Sequence, residues 1–294
     1  MSRILITGIN GQLGHELKQV LSPDETLDII GVGRDRLDLS QSDGIRAVIA
    51  EIQPDVVVNC AAYTAVDKAE SETDLAHQIN GIAPGILAEE THKLGATLIH
   101  ISTDYVFDGT QSHPYGETDP TQPIGAYGQS KLAGEKAVRK ATPQHVILRT
   151  AWVYGAGGTG NFAKTMLRLG ADRPELRVVA DQIGTPSWTG DIARAIAGVI
   201  AQHREVSGTY HFTNSGAASW YDFAVAIFEE AKPLGFPLKI DRVLPITTAD
   251  YPTPAKRPAY SVLATQKIAE VLGAPPPHWR SGLRQMLADL KSRM

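Results

Sequence analysis

The first half of the chain alternates short, almost continuous apolar runs with longer segments in which apolar residues recur every three or four positions. Continuous apolar runs are typical of strands covered on both faces, and the longer period is typical of helices that bury one side. The predicted strands lie at residues 3–7, 27–32, 55–60, 97–102 and 145–150. The predicted helices lie at 12–21, at 40–52, in a region ending near 93 with a break near Pro84, and across Tyr127.

This alternation predicts an α/β fold with a Rossmann-type, doubly wound parallel sheet and right-handed crossovers. Ser40 and Asp43 have the spacing of a capping box at the start of the second helix. After Tyr154 the pattern loosens, although a helix at 191–201 and a strand at 209–213 are still expected. We therefore predict a dinucleotide-binding domain at 1–154, to which roughly 187–213 return, and a smaller, proline-richer substrate-binding lobe at 155–186 and 214–294.

Composition narrows the possible functions of the chain. It has 294 residues and a formal net charge of −4, which makes it a poor candidate for binding nucleic acid or an anionic membrane. Cys60 is the single cysteine, so no intrachain disulfide can form, and a reducing cytoplasm is the expected location. The sequence begins directly with a strand pattern rather than a signal peptide, and no apolar run approaches the length of a membrane span.

A glycine-rich loop joins the first predicted strand to the first predicted helix. Three glycines in this loop follow the spacing G-x-x-G-x-x-G, which allows a sharp turn and a close approach to a diphosphate at the helix N-terminus. Glycines alone also serve ordinary tight turns, but the strand before and the helix after are the context that dinucleotide binding requires. The loop residues expected to bind the cofactor are Gly8, Asn10, Gly11, Gln12, Leu13 and Gly14.

The residues after the second strand bear on the choice of nicotinamide cofactor. Arg34 could pair with the 2′-phosphate of NADP, whereas the neighbouring Asp35 could accept from the ribose of NAD, and both could be solvated loop charges. We favour NADPH, with NADH tolerated. Asp38 could accept from the adenine amino group or cap the next helix, and Leu39 could pack on the adenine ring.

Small residues end the third strand, where they would let a cofactor lie against the edge of the sheet. These predicted cofactor residues are Ala61, Ala62 and Tyr63.

Tyr127 and Lys131 lie four residues apart, on one face of a predicted helix. A nearby ammonium is expected to lower the pKa of the phenol and could also bind the nicotinamide ribose. Such a pair is common by chance, but this one follows the fourth strand, which ends at Ser102, Thr103 and Asp104. A hydroxyl at that strand end could bind the substrate oxygen that Tyr127 protonates. The predicted catalytic residues are therefore Tyr127, Lys131 and Thr103.

Together, the glycine loop, the strand-end hydroxyl and the sequence YGQSK at 127–131 resemble the extended short-chain dehydrogenase/reductase family. Longer motifs are similar to those of the dTDP-4-dehydrorhamnose reductases within it: ISTDYVFDG at 101–109, AAYTAVDKAE at 61–70, RTAWVY at 149–154, GNF at 160–162, DQIGTP at 181–186 and RP at 257–258. This resemblance spans nearly the whole chain.

The resemblance implies reduction of the C4 ketone of dTDP-4-dehydro-L-rhamnose by NAD(P)H, giving dTDP-L-rhamnose for polysaccharide biosynthesis. Tyr127 would donate the proton, Thr103 would hold the carbonyl oxygen, and Lys131 would serve both the tyrosine and the ribose. The remaining residues that the resemblance assigns to the dTDP-sugar are Thr64, Val66, Asp104, Trp152 and Arg257, the last as a diphosphate partner. From the sequence alone, Trp152 could instead be an aromatic residue of the core.

Two departures from related patterns refine this expectation. Related dehydratases carry Thr-Asp-Glu where this chain has Tyr105 after Asp104, which argues for reduction over elimination. Some relatives dimerise through magnesium held by glutamates; Glu16 and Asp191 match two such positions, but His15 and Gly190 beside them are not acidic, so no metal site is predicted. The chain is expected to be a monomer or a homodimer.

Two rival functions fit the same motifs. One is a regulatory subunit like the β subunit of methionine adenosyltransferase, which shares many of these motifs and acts by binding a partner. The other is a sugar nucleotide epimerase, which would retain bound NAD and give no net oxidation.

Overall fold

The computed structural model describes residues 1–293 of the chain. The strands are β1 Ser2–Thr7, β2 Leu27–Val32, β3 Val56–Asn59, β4 Thr97–Thr103, β5 His145–Thr150, β6 Val153–Tyr154, β7 Glu175–Val179, β8 Ile183–Gly184, β9 Ser187–Trp188, β10 Gly208–His211, β11 Ala218–Ser219 and β12 Arg242–Ile246. The α-helices are α1 Gln12–Leu21, α2 Ser42–Ile52, α3 Val66–Ala69, α4 Thr73–His77, α5 Ala83–Lys93, α6 Ala126–Ala141, α7 Phe162–Asp172, α8 Thr189–Ala201, α9 Trp220–Ala231, α10 Gln266–Leu272 and α11 Trp279–Ser292. A π-helix spans Gln78–Ile82, and 3-10 helices span Asp104–Val106 and Thr248–Asp250.

Six strands form the central sheet in the order β10-β5-β4-β3-β1-β2, and every neighbouring pair is parallel. The chain runs outward from β1 to β2 and then returns to the other side of β1 at β3. Such a reversal leaves a crevice beyond the carboxyl ends of the two inner strands, where open α/β sheets bind ligands. The predicted doubly wound, Rossmann-type α/β sheet is confirmed.

Alternate residues of the strands enter two different cores. In β1, Ile4 and Ile6 pack in a cluster with residues of α1 and α8, whereas Leu5 packs in a cluster with residues of α2, α5 and α6. Burial on both faces explains why these strands read as continuous apolar runs. The sheet thus has helices on each side.

A third core lies among elements that follow β5. It is built from buried residues of α7, β7, α9 and α11, including Leu167, Leu176, Phe223 and Leu283. β7 pairs in parallel with β12, and β8 pairs in antiparallel fashion with β11. Strand β10, which follows α8, forms the edge of the main sheet beside β5. The division of the chain into two lobes stays a prediction.

The predicted capping box of α2 is wrong. The helix begins at Ser42 after Gln41, and no side chain caps it. The carboxylate of Asp38 instead accepts from the backbone N–H of Ser40 at 2.9 Å, closing a turn before the helix. An aspartate that binds the backbone two residues ahead competes with the helical alternative, so Ser40 and Asp43 have the right spacing but not the helical context.

The expected break near Pro84 is wrong, since α4, the π-helix and α5 follow one another without a gap over residues 73–93. Helix α5 begins at Ala83 with Pro84 in its first turn, where proline costs no hydrogen bond. The π-helix before it places Asn80 in the interior. Within residues 1–293, no helix combines the length and the apolar character needed to cross a bilayer.

Candidate active site

A cleft of about 710 Å³ opens at the carboxyl ends of β1, β3 and β4. Its lining combines the glycine loop, residues that follow β3 and β4, the start of α6 and the segment that follows β5. All predicted site residues lie in this lining except Gly14 and Arg257. Parallel strands direct residues that are distant in sequence to a single edge of the sheet, which explains their convergence.

Two glycines of the loop let neighbouring backbone segments approach closely. Gly8 has φ +66°, and a Cβ there would lie 2.9 Å from the Cα of Ala61. Gly14 does not face the cleft; a Cβ at this position would lie 2.4 Å from the carbonyl oxygen of Gly8, so this glycine lets α1 pack on the loop. Helix α1 begins after Gly11 without a side-chain cap, which leaves N–H groups of its first turn available to a diphosphate.

Two charged residues after β2, Arg34 and Asp38, line the cleft and form an ion pair. Arg34 Nε lies 3.2 Å from Asp38 Oδ2, and the arginine side chain is 77% exposed. Bonds from Ser40, and less strongly from Arg34, hold the pKa of Asp38 below its usual range, so this carboxyl is an acceptor at neutral pH. Leu39 is buried in the core beside α2 while also lining the cleft. An exposed guanidinium at this edge could bind a 2′-phosphate.

The segment after β3 is held by Asn80, a residue that sequence reasoning missed. Its side-chain oxygen accepts from the N–H of Tyr63 at 2.8 Å, and its amide nitrogen donates to the Tyr63 carbonyl at 2.9 Å and to Ser130 Oγ at 3.1 Å. The Thr7 hydroxyl accepts from the N–H of Ala61 at 3.2 Å. These bonds fix the wall formed by Ala61, Ala62 and Tyr63. The π-helix that buries Asn80 has no recognisable sequence signal.

Tyr127, Lys131 and Thr103 all reach the cleft. Tyr127 is half-buried in the first turn of α6, and Lys131 is buried one turn later. Lys131 Nζ donates to the carbonyl oxygen of Ile101 at 2.6 Å. The Thr103 hydroxyl donates to Asp104 Oδ1 at 3.0 Å and accepts from the N–H of Tyr105 at 3.2 Å. The three side chains therefore form one polar surface at the end of β4.

The expected effect of Lys131 on the phenol is wrong for this structure. Burial, together with the charge of Asp104, raises the pKa of Tyr127 to about 12, and the Thr103 hydroxyl opposes this rise only in part. Burial also lowers the pKa of Lys131 to about 8. The ammonium is directed to the Ile101 carbonyl, so desolvation outweighs its attraction for a phenolate. At neutral pH the phenol carries its proton, the form that a proton donor requires.

Asp104 and Tyr105 surround the phenol on the same wall. Asp104 is buried, its Oδ2 has no hydrogen-bond partner within residues 1–293, and burial raises its pKa to about 6. The Tyr105 ring meets the Tyr127 ring edge-on with centroids 5.4 Å apart. Tyr105 also lines the cleft, although the sequence suggested only that it is a poor base.

The residues assigned to the sugar nucleotide divide into two groups. Thr64, Val66 and Trp152 line the cleft. Arg257 does not: its guanidinium is paired with Asp67, with Nη2–Oδ2 at 2.9 Å and Nη1–Oδ1 at 3.1 Å. Because Asp67 directly follows Val66, this pair ties Arg257 to the segment that lines the cleft. Its role toward a diphosphate stays a prediction.

Comparison with known proteins assigns the chain to a family. The family model described as "RmlD substrate binding domain" matches residues 1–292. The chain belongs to this family. The match covers both the sheet that carries the glycine loop and the later segments that complete the cleft.

Individual relatives are similar over their whole length. The chain is 45% identical to a dTDP-4-dehydrorhamnose reductase of Burkholderia thailandensis, over 99% of this chain and 100% of the relative. It is 45% identical to a probable dTDP-4,6-dihydroxy-2-methyloxan-3-one 4-ketoreductase of Streptomyces antibioticus, over 98% and 95%. The crystal structure of the dTDP-4-dehydrorhamnose reductase of Bacillus anthracis in complex with NADP is 40% identical, with a TM-score of 0.91 over 98% and 100% of the two chains.

A segment that follows β6 contacts the glycine loop, although the sequence analysis placed it only in the substrate-binding lobe. Gly158, Thr159 and Gly160 line the cleft. Asn161, the residue that caps α7, donates from Nδ2 to Gln12 Oε1 at 2.7 Å. Lys164 Nζ holds the segment through the carbonyl oxygens of Gly157 and Gly158 at 3.0 and 2.9 Å. Local sequence patterns do not reveal this contact, because it joins residues 149 positions apart.

The two acidic residues considered for magnesium have different surroundings. Burial raises the pKa of Glu16, and its Oε2 has no partner among the described residues. Asp191 is buried and binds Arg194 at 2.6 Å and Asn214 at 2.7 Å. In residues 1–293, no group of three or more acidic, histidine or cysteine side chains is arranged around a possible metal position.

Proposed function

We propose that the chain reduces the C4 ketone of dTDP-4-dehydro-L-rhamnose to the alcohol, forming dTDP-L-rhamnose with NADPH as the reductant. The observation that carries this proposal is the single cleft in which Tyr127, Thr103 and Lys131 share a wall with the glycine loop. The names of the relatives support the substrate class, and the NADP complex of one of them supports the cofactor.

The glycine loop, Arg34 and the wall at Ala61–Tyr63 are proposed to hold the dinucleotide. When bound, reduced nicotinamide supplies a hydride to the carbonyl carbon. Tyr127 donates its proton to the carbonyl oxygen. The Thr103 hydroxyl, once it turns from Asp104 to the substrate, donates a hydrogen bond to the same oxygen. Ketone, hydride and proton together make the alcohol. Lys131, protonated at neutral pH because its pKa is about 8, stabilises the phenolate that remains and is proposed to bind the ribose.

The sugar nucleotide is proposed to contact Thr64, Val66, Asp104 and Trp152, with Arg257 near its diphosphate. We further propose that these contacts come from two lobes, 1–154 with 187–213 and the remainder of the chain. Tyr105 stands where a dehydratase would need a base, and burial raises its pKa further, so it is a poor group for removing a proton beside a carbonyl. This chemistry supports reduction over elimination.

The test is an assay of NADPH absorbance with purified protein and dTDP-4-dehydro-L-rhamnose, with NADH in a parallel reaction. We expect stoichiometric oxidation of NADPH and formation of dTDP-L-rhamnose. Absence of turnover by active, folded protein would support a regulatory subunit. Protein that retains NAD and interconverts sugars without net oxidation would support an epimerase.

Tyr127→Phe tests the assigned proton donor. A positioned acid contributes about 10²–10⁴-fold to the rate, so kcat should fall by that factor. The Kd of NADPH, measured by fluorescence titration, should stay within about twofold, since only the hydroxyl is lost. Activity comparable to that of the original protein would reject the role of Tyr127.

A further inference from the structure

Trp152 has an unusual backbone conformation beside the cleft. Its φ is +47°, and the only other non-glycine residue with positive φ in residues 1–293 is Gln53, which ends helix α2. Trp152 ends no helix; it lies between β5 and β6. A bulky residue is rare in this left-handed region and stays there only when the surrounding structure holds it. The contacts of Trp152 should therefore explain its conformation.

Two residues contact the indole of Trp152 and are together called the Trp152 support: Trp220 and Gly184. The ring of Trp220 stacks on the Trp152 ring with centroids 3.5 Å apart and planes 5° apart. Gly184 lies so close that a Cβ there would be 2.5 Å from Cε2 of Trp152. The backbone is also held, because the N–H of Ser187 donates to the carbonyl oxygen of Trp152 at 3.1 Å.

The Trp152 support is itself well fixed. Trp220 is the first residue of α9, directly after Ser219, which forms a capping box with Asp222. Ser219 lies on β11, and β11 pairs with β8, which contains Gly184. The Trp220 ring also contacts the rings of Phe162 and Phe223, with centroids 4.6 and 6.5 Å away. One strand pair and one capped helix thus set the position of both supporting residues.

Trp152 lines the cleft, whereas Trp220 and Gly184 do not. We propose that Trp220 is a positioning residue for the sugar nucleotide: it holds the Trp152 indole in the orientation that receives the hexose. This inference rests on the proposed function of the cleft. An aromatic ring that is fixed in advance binds without loss of rotamer freedom, so loss of the stacking partner weakens binding of the sugar nucleotide. Trp220 contacts neither the glycine loop nor Arg34 directly, so we expect its loss to weaken binding of the sugar nucleotide much more than binding of NADPH.

The first experiment compares Trp220→Leu and Trp220→Phe. With Leu, the KM of dTDP-4-dehydro-L-rhamnose should rise about tenfold or more, because a small displacement of a positioning group has large effects. The KM of NADPH should stay within about twofold in both variants. Phe keeps a flat ring and should restore most of the affinity. Equal increases of both KM values, or an unchanged sugar KM in Trp220→Leu, would overturn the proposal.

Gly184→Ala gives an independent test that leaves Trp220 in place. Its Cβ would require the indole to move, so the sugar KM should rise as in Trp220→Leu. Trp279→Leu is the matched control, since Trp279 belongs to the same core and contacts Phe223. It should lower Tm without changing either KM by more than about twofold. If Trp279→Leu raised the sugar KM as much as Trp220→Leu does, the increase would come from general destabilisation of the lobe. That result would overturn the proposal.

Circular dichroism separates this inference from the proposed function. Two stacked indoles whose transition moments are skewed give an exciton couplet in the far ultraviolet, and this couplet needs no ligand. The couplet should disappear in Trp220→Leu, weaken in Gly184→Ala and persist in Trp279→Leu. Failure of the original protein to oxidise NADPH would reject the proposed function alone. A couplet that survives in Trp220→Leu, or an unaltered sugar KM in an active Trp220→Leu enzyme, would reject the Trp152 support alone.

Discussion

At the scale of single residues, Lys131 and Tyr127 are controlled by burial more than by each other. The ammonium of Lys131 donates to the Ile101 carbonyl, and the phenol of Tyr127 keeps its proton well above neutral pH. Proton donation to a developing alkoxide suits such a phenol, whose product must then be stabilised by charge. Catalysis should therefore depend on whether Lys131 is protonated.

Activity should therefore fall as pH rises through about 8, the pKa to which burial lowers Lys131. Below this pH the ammonium is present and can stabilise the phenolate; above it the neutral amine cannot. The measurement is kcat at saturating NADPH and sugar nucleotide across the alkaline range. Circular dichroism at each pH controls for unfolding. A kcat that stays level well beyond the pKa of Lys131 would exclude a required ammonium.

Arg34 offers a second prediction at this scale. Arg34→Ala should weaken NADPH much more than NADH, because only NADPH carries the 2′-phosphate that a guanidinium binds. Arg36→Ala is the matched control: its guanidinium pairs with Glu51 at 2.8 Å and it does not line the cleft. Kd values for both cofactors check the prediction. Equal losses for NADPH and NADH in Arg34→Ala would show that Arg34 does not contact the phosphate.

At the scale of elements, Glu135 joins helix α6 to the sheet. It lies one turn after Lys131, is fully buried, and accepts from Ser102 of β4 at 2.6 Å. Arg149 of β5 donates to both of its oxygens, at 2.9 and 2.8 Å. Burial alone would raise the pKa of Glu135, but the bonds from Arg149 and Ser102 hold it below its usual range. The pair thus fixes the helix that carries Tyr127 against the strand that carries Thr103.

Glu135→Gln should lower the free energy of unfolding by roughly 3–5 kcal/mol, because it leaves the buried Arg149 without a charged partner. Urea denaturation measures the loss. Glu51→Gln, which removes an exposed partner of Arg36, should cost less than about 1 kcal/mol. Similar losses in the two variants would mean that the buried pair contributes no more to stability than the exposed pair.

At the scale of the whole molecule, the glycine loop depends on a distant segment. Asn161 binds Gln12 and caps α7 through its other side-chain atom, which accepts from the N–H of Lys164 at 3.0 Å. The segment before it adds Gly158, Thr159 and Gly160 to the cleft. Cofactor binding should therefore respond to changes outside the dinucleotide-binding domain proposed at 1–154.

Asn161→Ser tests this dependence. Serine keeps the helix cap but is too short to reach Gln12, so the variant loses the bond to the glycine loop without losing the cap. A neutral hydrogen bond contributes about 0.5–1.5 kcal/mol, so the KM of NADPH should rise roughly two- to twelvefold. Asn161→Ala, which also removes the cap, should lower Tm further. An unchanged KM of NADPH in Asn161→Ser would show that Asn161 does not contribute to cofactor binding.

Local patterns in the chain predicted most elements of the central sheet and the chemistry carried within them. Helix α1 at Gln12–Leu21 and strand β5 at His145–Thr150 have the predicted bounds, because hydrophobic periodicity is a local property. The glycine loop and the pair formed by Tyr127 and Lys131 were also readable, since their spacing is set by one turn and by one helix.

Long-range contacts and burial set how those residues behave together. The strand order depends on pairing between segments that are distant in the chain. Distant residues also meet in the bond of Lys131 to Ile101, in the bonds of Asn80 and Asn161, and in the stacking of Trp152 on Trp220. The shift in the pKa of Tyr127 was predicted in the wrong direction, because the shift depends on burial, which spacing does not reveal. Periodicity and spacing report local geometry, whereas burial and long-range contacts exist only once the chain has folded.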